Sequence, residues 1–289
     1  MSASSKHTHK YGLAPWAGRI FSPKNLMGFA LYVVFCSLIL HLIVQGADST
    51  GYFWQWYRVE RVFFTGIAPD GTRSLWSGPL VRGFFMTLRI GAVSMCAALV
   101  IALAATSMRL GGGPVARALA IAYVELIRNT PLLVQILFIY FVIAPGFGLA
   151  AEPSAIIALS LFEGAYMSEI FRAGILSVPR EQWEAAVSLG LPPAYAARDV
   201  VLPQAVRNAL PPLLSECITL VKNTSLASVI SVTELTFVGK KTISDTFMSL
   251  EIWLTVALVY LCLSLLMSGM AALLRRSLNR GRAQSRAEG

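Results

Sequence analysis

Residues Glu184 to Pro203 read EAAVSLGLPPAYAARDVVLP, a polar, helix-capable stretch set between long apolar segments. Ala185 and Ala186 are small enough to let another surface approach a helix closely. Gly190 ends or bends that helix, because glycine accepts backbone angles that other residues resist. Pro192 and Pro193 suit the first turn of a second short helix, and Pro203 is expected to close it. The pattern predicts a helix, a glycine turn and another helix, presented on one side of a membrane for docking.

The composition around this stretch puts it in a membrane protein. Apolar residues make up 56% of the 289 positions and charged residues 13%, against about 25% charged in an ordinary soluble domain. The net charge of +9 does not indicate nucleic-acid binding. The basic residues sit beside apolar spans, where orientation bias accounts for them, and no basic-aromatic stripe marks a soluble module. Cys36, Cys96, Cys217 and Cys262 all fall in apolar segments without CxxC spacing, so they read as small buried hydrophobes.

A bilayer core takes about 20 apolar residues per helix. Six segments qualify, at 26–45, 83–107, 116–144, 153–175, 209–231 and 252–274. The first follows Lys6, Lys10, Arg19 and Lys24; it is longer than a signal core and lacks a clear cleavage site, so it reads as an uncleaved span. The third carries Glu125, Arg128 and Asn129 before Pro131. It is either one bent span or an amphipathic lead-in helix followed by a span from Pro131, with Asn129 or Thr130 as cap and Pro131 in the first turn.

Charge sets the expected orientation. With the N-terminus inside, the inner segments hold Lys6, Lys10, Arg19, Lys24, Arg109, Arg180, Arg198, Arg207, Arg275, Arg276, Arg280, Arg282 and Arg286. The outer loops hold only Arg58, Arg61, Arg73, Lys240 and Lys241. That bias obeys the positive-inside tendency and places both termini and the Glu184 stretch in the cytoplasm. The outer segment after the first span is rich in aromatics (Tyr52, Phe53, Trp54, Trp56, Tyr57, Phe63, Phe64 and Trp76), which fits an interfacial belt better than a ligand box.

Ionisable residues inside spans are costly, and pair or line a water-filled path. Glu125 and Arg128 stand three apart, as do Glu169 and Arg172, so each pair can meet on one helix face. Local neutralisation that permits insertion is one reading; lining or gating a translocation path is the other. Glu163, Glu216, Lys222 and Asn223 have no partner at helical spacing, and Lys222 is expected either to complement Glu163 or Glu216 across helices or to snorkel to water. No metal-ligand spacing, nucleophile–base pairing or phosphate-binding glycine loop emerges, so a catalytic site and a bound metal or cofactor are not expected.

Written as a pattern, the opening stretch is Glu184-Ala185-Ala186, three residues, Gly190, nine residues, then Val200-Val201-Leu202-Pro203. It resembles the cytoplasmic EAA motif of permease subunits in bacterial ATP-binding-cassette (ABC) importers, EAA-x3-G-x9-I-x-L-P, with Val200 in place of isoleucine. Tyr123 through Gln135, Gly164 through Gly174, Lys222-Asn-Thr-Ser-Leu226 and Gly83 through Leu88 are similar to segments of the polar amino-acid family of these permeases. Together they cover about residues 80–275. Asn129 stands where many relatives carry glycine, and Arg180 near a position often held by a lysine-glycine pair.

The resemblance implies an all-α, polytopic membrane protein of about six transmembrane helices with the type I ABC importer transmembrane fold. The resemblance says little about the region before 80, where charge and hydropathy lead us to expect a basic cytoplasmic tail at 1–25 and an added N-terminal span with its periplasmic aromatic loop at 26–79. The transport domain would be 80–275, with a coupling loop at 177–205, followed by a second basic tail at 276–289. Glu184, Ala185, Ala186, Gly190, Leu202 and Pro203 would dock the ATPase. Glu125, Arg128, Glu163, Glu169, Arg172, Lys222 and Asn223 are candidates for the path or its gate. The implied partners are an ABC ATPase dimer that holds the ATP and Mg, a second permease subunit in a homo- or heterodimer, a periplasmic substrate-binding protein and membrane lipid. The implied role is ATP-coupled import of amino acids across the inner membrane by a subunit that is not itself an enzyme. The competing reading is an ion-coupled secondary transporter, whose inverted repeats are not visible here.

Overall fold

The computed structural model describes residues 23–49, 51–64, 66–67, 73–74 and 78–287. The expected N-terminal basic tail up to position 22 and Trp76 therefore lie outside the described residues, as do the side chains of Phe64 and of the C-terminal tail from 276. The chain divides into two compact units after Trp54. The first is helix α1, Pro23–Ser49, with an apolar run at Ala30–Gly46; beyond it Tyr52 and Trp54 pack edge to face, 5.5 Å between centroids.

The second unit begins with a short amphipathic helix, α2, Trp56–Phe64. Val59, Val62 and Phe63 from α2 pack on Leu80, Leu235, Met248, Ile252 and Val256. The fully buried Glu251 accepts a hydrogen bond from the Gln55 backbone N–H at 2.5 Å, satisfying a donor at the start of α2. A two-residue antiparallel ladder, Gly66–Ile67 with Arg73–Ser74, follows.

Helix α3, Pro79–Gly111, opens on a proline in its first turn and packs most extensively against α6, Ala151–Leu176. Small residues explain the closeness. Ser94, Ala98, Ala102, Ala155, Ala158 and Ala165 are all buried, and a Cβ on Gly164 would sit 2.8 Å from Ile101. Small faces of this kind let apolar helices associate through backbone approach. Two hydroxyls add cross-links, Thr106 to the Ser168 carbonyl at 3.1 Å and Ser160 to that of Ser94 at 3.4 Å.

Between these two, helices α4, Pro114–Arg128, and α5, Leu132–Phe147, meet at 106°, so the third predicted segment is sharply broken and is apolar and long enough for a crossing only when both helices are taken together. The expected caps are corrected. Asn129 and Thr130 turn back to close α4, donating to the Glu125 and Leu126 carbonyls at 2.7 and 3.0 Å. Pro131 itself takes the extended N-cap position of α5 (ψ 137°). A proline disfavours helical geometry in the residue before it, so α4 must stop and the chain must turn. Gln135 then stitches the corner, its amide donating to the Ile127 carbonyl at 2.8 Å.

The expected fifth span is part of a longer helical run, α8, Pro193–Ile230, which also corrects the role of Pro203. The run starts at Pro193, loosens into a π segment at Ala196–Val201, tightens to α over Leu202–Asn223 and ends as a 3₁₀ stretch at Thr224–Ile230. Pro203 lies in the first turn of the α portion, where its missing N–H is tolerated as the bonding pattern changes from five-back to four-back. The chain leaves α8 through Ser231 in the left-handed region (φ 62°).

Helix α9, Leu235–Thr246, stands where the sequence predicted only an outer loop. Buried Glu234 caps it, accepting from the Thr236 and Phe237 N–H groups at 2.8 Å each and from the Tyr260 hydroxyl at 2.9 Å. Gly83 leaves room for the Leu235 backbone, 3.0 Å from the position of its absent Cβ. Helix α10, Ser249–Ala287, runs through the last span and on through the expected tail. Helices α3, α6, α8 and α10 are each long and apolar enough to cross a bilayer, and α4–α5 make a fifth crossing if taken as one broken span. With the apolar run of α1, the six predicted segments all have helical counterparts.

Candidate functional site

The Glu184 stretch folds into two short helices joined by a tight turn. Helix α7, Arg180–Ser188, follows Pro179 and carries Glu181 in its first turn, favourable to its dipole. Gly190 ends it with φ +84°. Its N–H donates to the Val187 carbonyl at 2.9 Å, and that of Leu191 reaches back to Ala186 at 3.2 Å. This is a Schellman closure, which satisfies two terminal carbonyls and fixes the exit direction. Pro192, extended, then caps the start of α8.

Helix α7 packs on the π segment of α8, and Ala186 and Ala196 are the buried residue of each. Of the two motif alanines, Ala185 is on the open face and Ala186 is inside the hairpin. Glu184, Gly190, Leu202 and Pro203 are exposed. So are large apolar side chains that a soluble loop would hide: Leu189 is 84% exposed, with Trp183, Val187 and Tyr195 around it. Exposed apolar side chains grouped in this way mark a surface for contact with a protein or a membrane.

The hairpin is joined rigidly to the membrane helices. A Cβ on Gly174 of α6 would stand 2.9 Å from both the Ala205 carbonyl oxygen and the Ala209 Cβ of α8. Beside that contact Asn208 donates to the Ser177 hydroxyl at 2.9 Å, and Gln204 spans to Gln182 at 3.4 Å. The base of the hairpin is thus in direct van der Waals and hydrogen-bond contact with α6 and α8, with no slack tether between them.

The candidate path residues form two groups. In one, Glu169 accepts from Arg172 at 2.8 Å, the pair foreseen from spacing, and also from Arg109 at the end of α3. In the other, fully buried Glu163 accepts from Asn223 at 3.0 Å, while its second oxygen has no hydrogen-bond partner of good geometry among the described residues. Glu216 lies close enough to act on Glu163 electrostatically. A buried carboxylate with an unused acceptor is costly in an apolar surrounding, which makes this cluster the more chemically loaded of the two.

One expected pairing is not made. Glu125 and Arg128 form no ion pair among the described residues. Arg128 stacks over the Tyr166 ring, 5.2 Å from its centroid, and Glu125 accepts from the Asn129 side chain at 3.1 Å. Of the two alternatives for Lys222, the structure has the exposed one; the adjacent Asn223 faces Glu163 instead. Conversely, sequence reasoning left out Arg109, Tyr166 and the apolar cap of the hairpin. The available signal for Arg109 was its depth. It ends the second span on the side where Glu169 approaches the end of the fourth.

The family model for binding-protein-dependent transport system inner membrane components matches residues 97–280. The chain is 40% identical over 200 residues to the glutamine transport system permease protein GlnP of Escherichia coli K12, covering 68% of this chain and 91% of that protein. It is 38% identical over 215 residues to the L-cystine transport system permease protein TcyB of Bacillus subtilis 168, covering 72% and 89%. Among solved structures, an amino acid ABC transporter crystallised with histidines matches at 34% identity and TM-score 0.66, covering 69% of this chain and 94% of that one. The inward-facing methionine transporter MetNI matches at 22% identity and TM-score 0.57 over 69% and 95%, a likeness of fold.

Proposed function

The chain belongs to the family of binding-protein-dependent transport system inner membrane components, and from that premise we propose that it is the permease subunit of an ATP-driven importer of amino acids, of the polar class. The family consists of transport components, not catalysts. Its relatives named for glutamine, L-cystine and amino acids support the substrate class. The observation that carries the coupling role is the Gly190-closed hairpin, which offers Glu184, Ala185 and Leu189 outward while Gly174 locks its base to α6 and α8.

In this reading the hairpin faces the cytoplasm with both termini and seats in a groove of an ABC ATPase. ATP and Mg are bound by that partner and not by this chain. A second permease subunit completes the membrane path, and a loaded binding protein docks at the periplasmic side. Residues 80–275 form the transport domain with its coupling loop at 177–205, and 26–79 an added span and its outer aromatic loop. Closure of the ATPase pushes α7, and α6 and α8 follow, switching the path from inward-open to outward-open. Each ligand shifts this equilibrium only by its difference in affinity for the two states. Glu163 with Asn223, and Glu169 with Arg109 and Arg172, are placed on the path or its gate; Glu125, Arg128 and Lys222 border it.

Affinity purification of the complex, followed by calorimetry on the co-purified binding protein, tests the proposal. An ATPase and a binding protein that takes up a polar amino acid are expected to co-purify. A chain that purifies alone and moves solute on an ion gradient would establish the secondary-transporter reading instead.

A further inference from the structure

Beside the hairpin's base, α6, α8, α4 and α10 enclose a cavity of about 740 Å³ lined by Arg128, Arg207 and Arg275. None of these three guanidiniums has a carboxylate partner among the described residues. Arg128 is held over Tyr166, and Arg275 spends only its Nε on the Ala271 carbonyl at 3.3 Å. The one carboxylate on the wall, Glu169, is already shared between Arg109 and Arg172. Three arginines line one cavity whose single acid is already neutralised; two of them, Arg128 and Arg207, are solvent-exposed, so the wall carries net positive charge open to an anion. The remainder of the wall is largely apolar, with Ile170, Ala173, Pro211 and Pro212. Arg275 also stands where the apolar crossing of α10 ends, at the depth of a headgroup.

The geometry points to an interhelical site for the phosphate of an anionic phospholipid, with the guanidiniums on the phosphodiester and the apolar wall against the glycerol and upper acyl chain. Guanidinium forks match phosphate oxygens two at a time, and basic pockets between membrane helices on the cytoplasmic side suit such headgroups. The assignment to the inner leaflet rests on the orientation proposed above; the binding chemistry does not. A lipid seated there would wedge between α6 and α8 at the joint the hairpin drives, which makes transport sensitive to the anionic lipid content of the membrane.

Native mass spectrometry on the purified complex, extracted from bilayers of phosphatidylglycerol and phosphatidylcholine, reads the retained lipid directly. Wild type is expected to keep phosphatidylglycerol in preference. The double variant Arg207→Gln, Arg275→Gln should lose that retention by about thirtyfold, from the loss of two guanidiniums near a membrane surface. Arg198→Gln, at an exposed position in the π segment of α8 and outside the cavity lining, should leave it intact. The pair Arg207→Lys, Arg275→Lys keeps the charge and should recover much of the retention. Undiminished retention in the glutamine pair, equal loss in the glutamine and lysine pairs, or no preference in wild type would overturn the site. Stripping of the lipid by millimolar inorganic phosphate would overturn the lipid and assign a soluble phosphate site.

Discussion

Gly190 holds φ +84°, where a Cβ would cost about 1–2 kcal/mol, and the Schellman bonds around it make that angle a requirement of the turn. This residue was legible from spacing alone, because no other residue type serves as cheaply at that point. Glu163 was legible as an anomaly but its partner was not. Helical spacing reports only neighbours on one helix, and Asn223 comes from another. Since Asn223 donates to a Glu163 oxygen, Glu163→Gln should keep the contact, whereas Glu163→Leu removes the acceptor of the half-buried Asn223 amide at about 1 kcal/mol. Thermal melting of the purified complex should show the leucine variant several degrees below the glutamine variant. Equal melting points would mean the contact contributes nothing.

At the level of elements, the third segment shows what periodicity can and cannot settle. The charges before Pro131 announced a break, and the 106° corner follows; which residues capped which helix depended on side-chain directions that a linear pattern does not carry. The continuity of α8 was hidden for a related reason. Pro203 looks like a terminator unless the ladder changes period there, as the π segment makes it do. Helix α9 was missed because it is short and polar, and owes its place to packing against α3. The α6–α8 contact is the element-scale test. Gly174→Ala puts a methyl 2.9 Å from the Ala205 oxygen and the Ala209 Cβ, and overpacking of this order costs about 1–3 kcal/mol. We expect a lower melting temperature and less transport per ATP hydrolysed; unchanged coupling would show that the joint is not rigid.

For the whole molecule, composition was enough to establish a polytopic helical protein, and the EAA spacing its family. Arg109 as the second partner of Glu169, and Tyr166 under Arg128, came only with the fold, because these contacts join helices far apart in sequence. The proposed orientation rests on the distribution of arginine and lysine, and it predicts that a Ser188→Cys variant reacts with an impermeant thiol reagent only from the cytoplasmic side. Labelling of intact cells from outside would invert the topology. The central claim is that the hairpin from Glu184 to Pro203 carries force from an ATPase and selects no substrate. Proteoliposomes holding the assembled transporter with Gly190→Val or Glu184→Lys test it most directly. The account predicts normal insertion, normal substrate capture by the binding protein, and a loss of transport-coupled ATP hydrolysis of about tenfold or more, corresponding to roughly 1.4 kcal/mol of coupling. Wild-type coupled hydrolysis in both variants would contradict it.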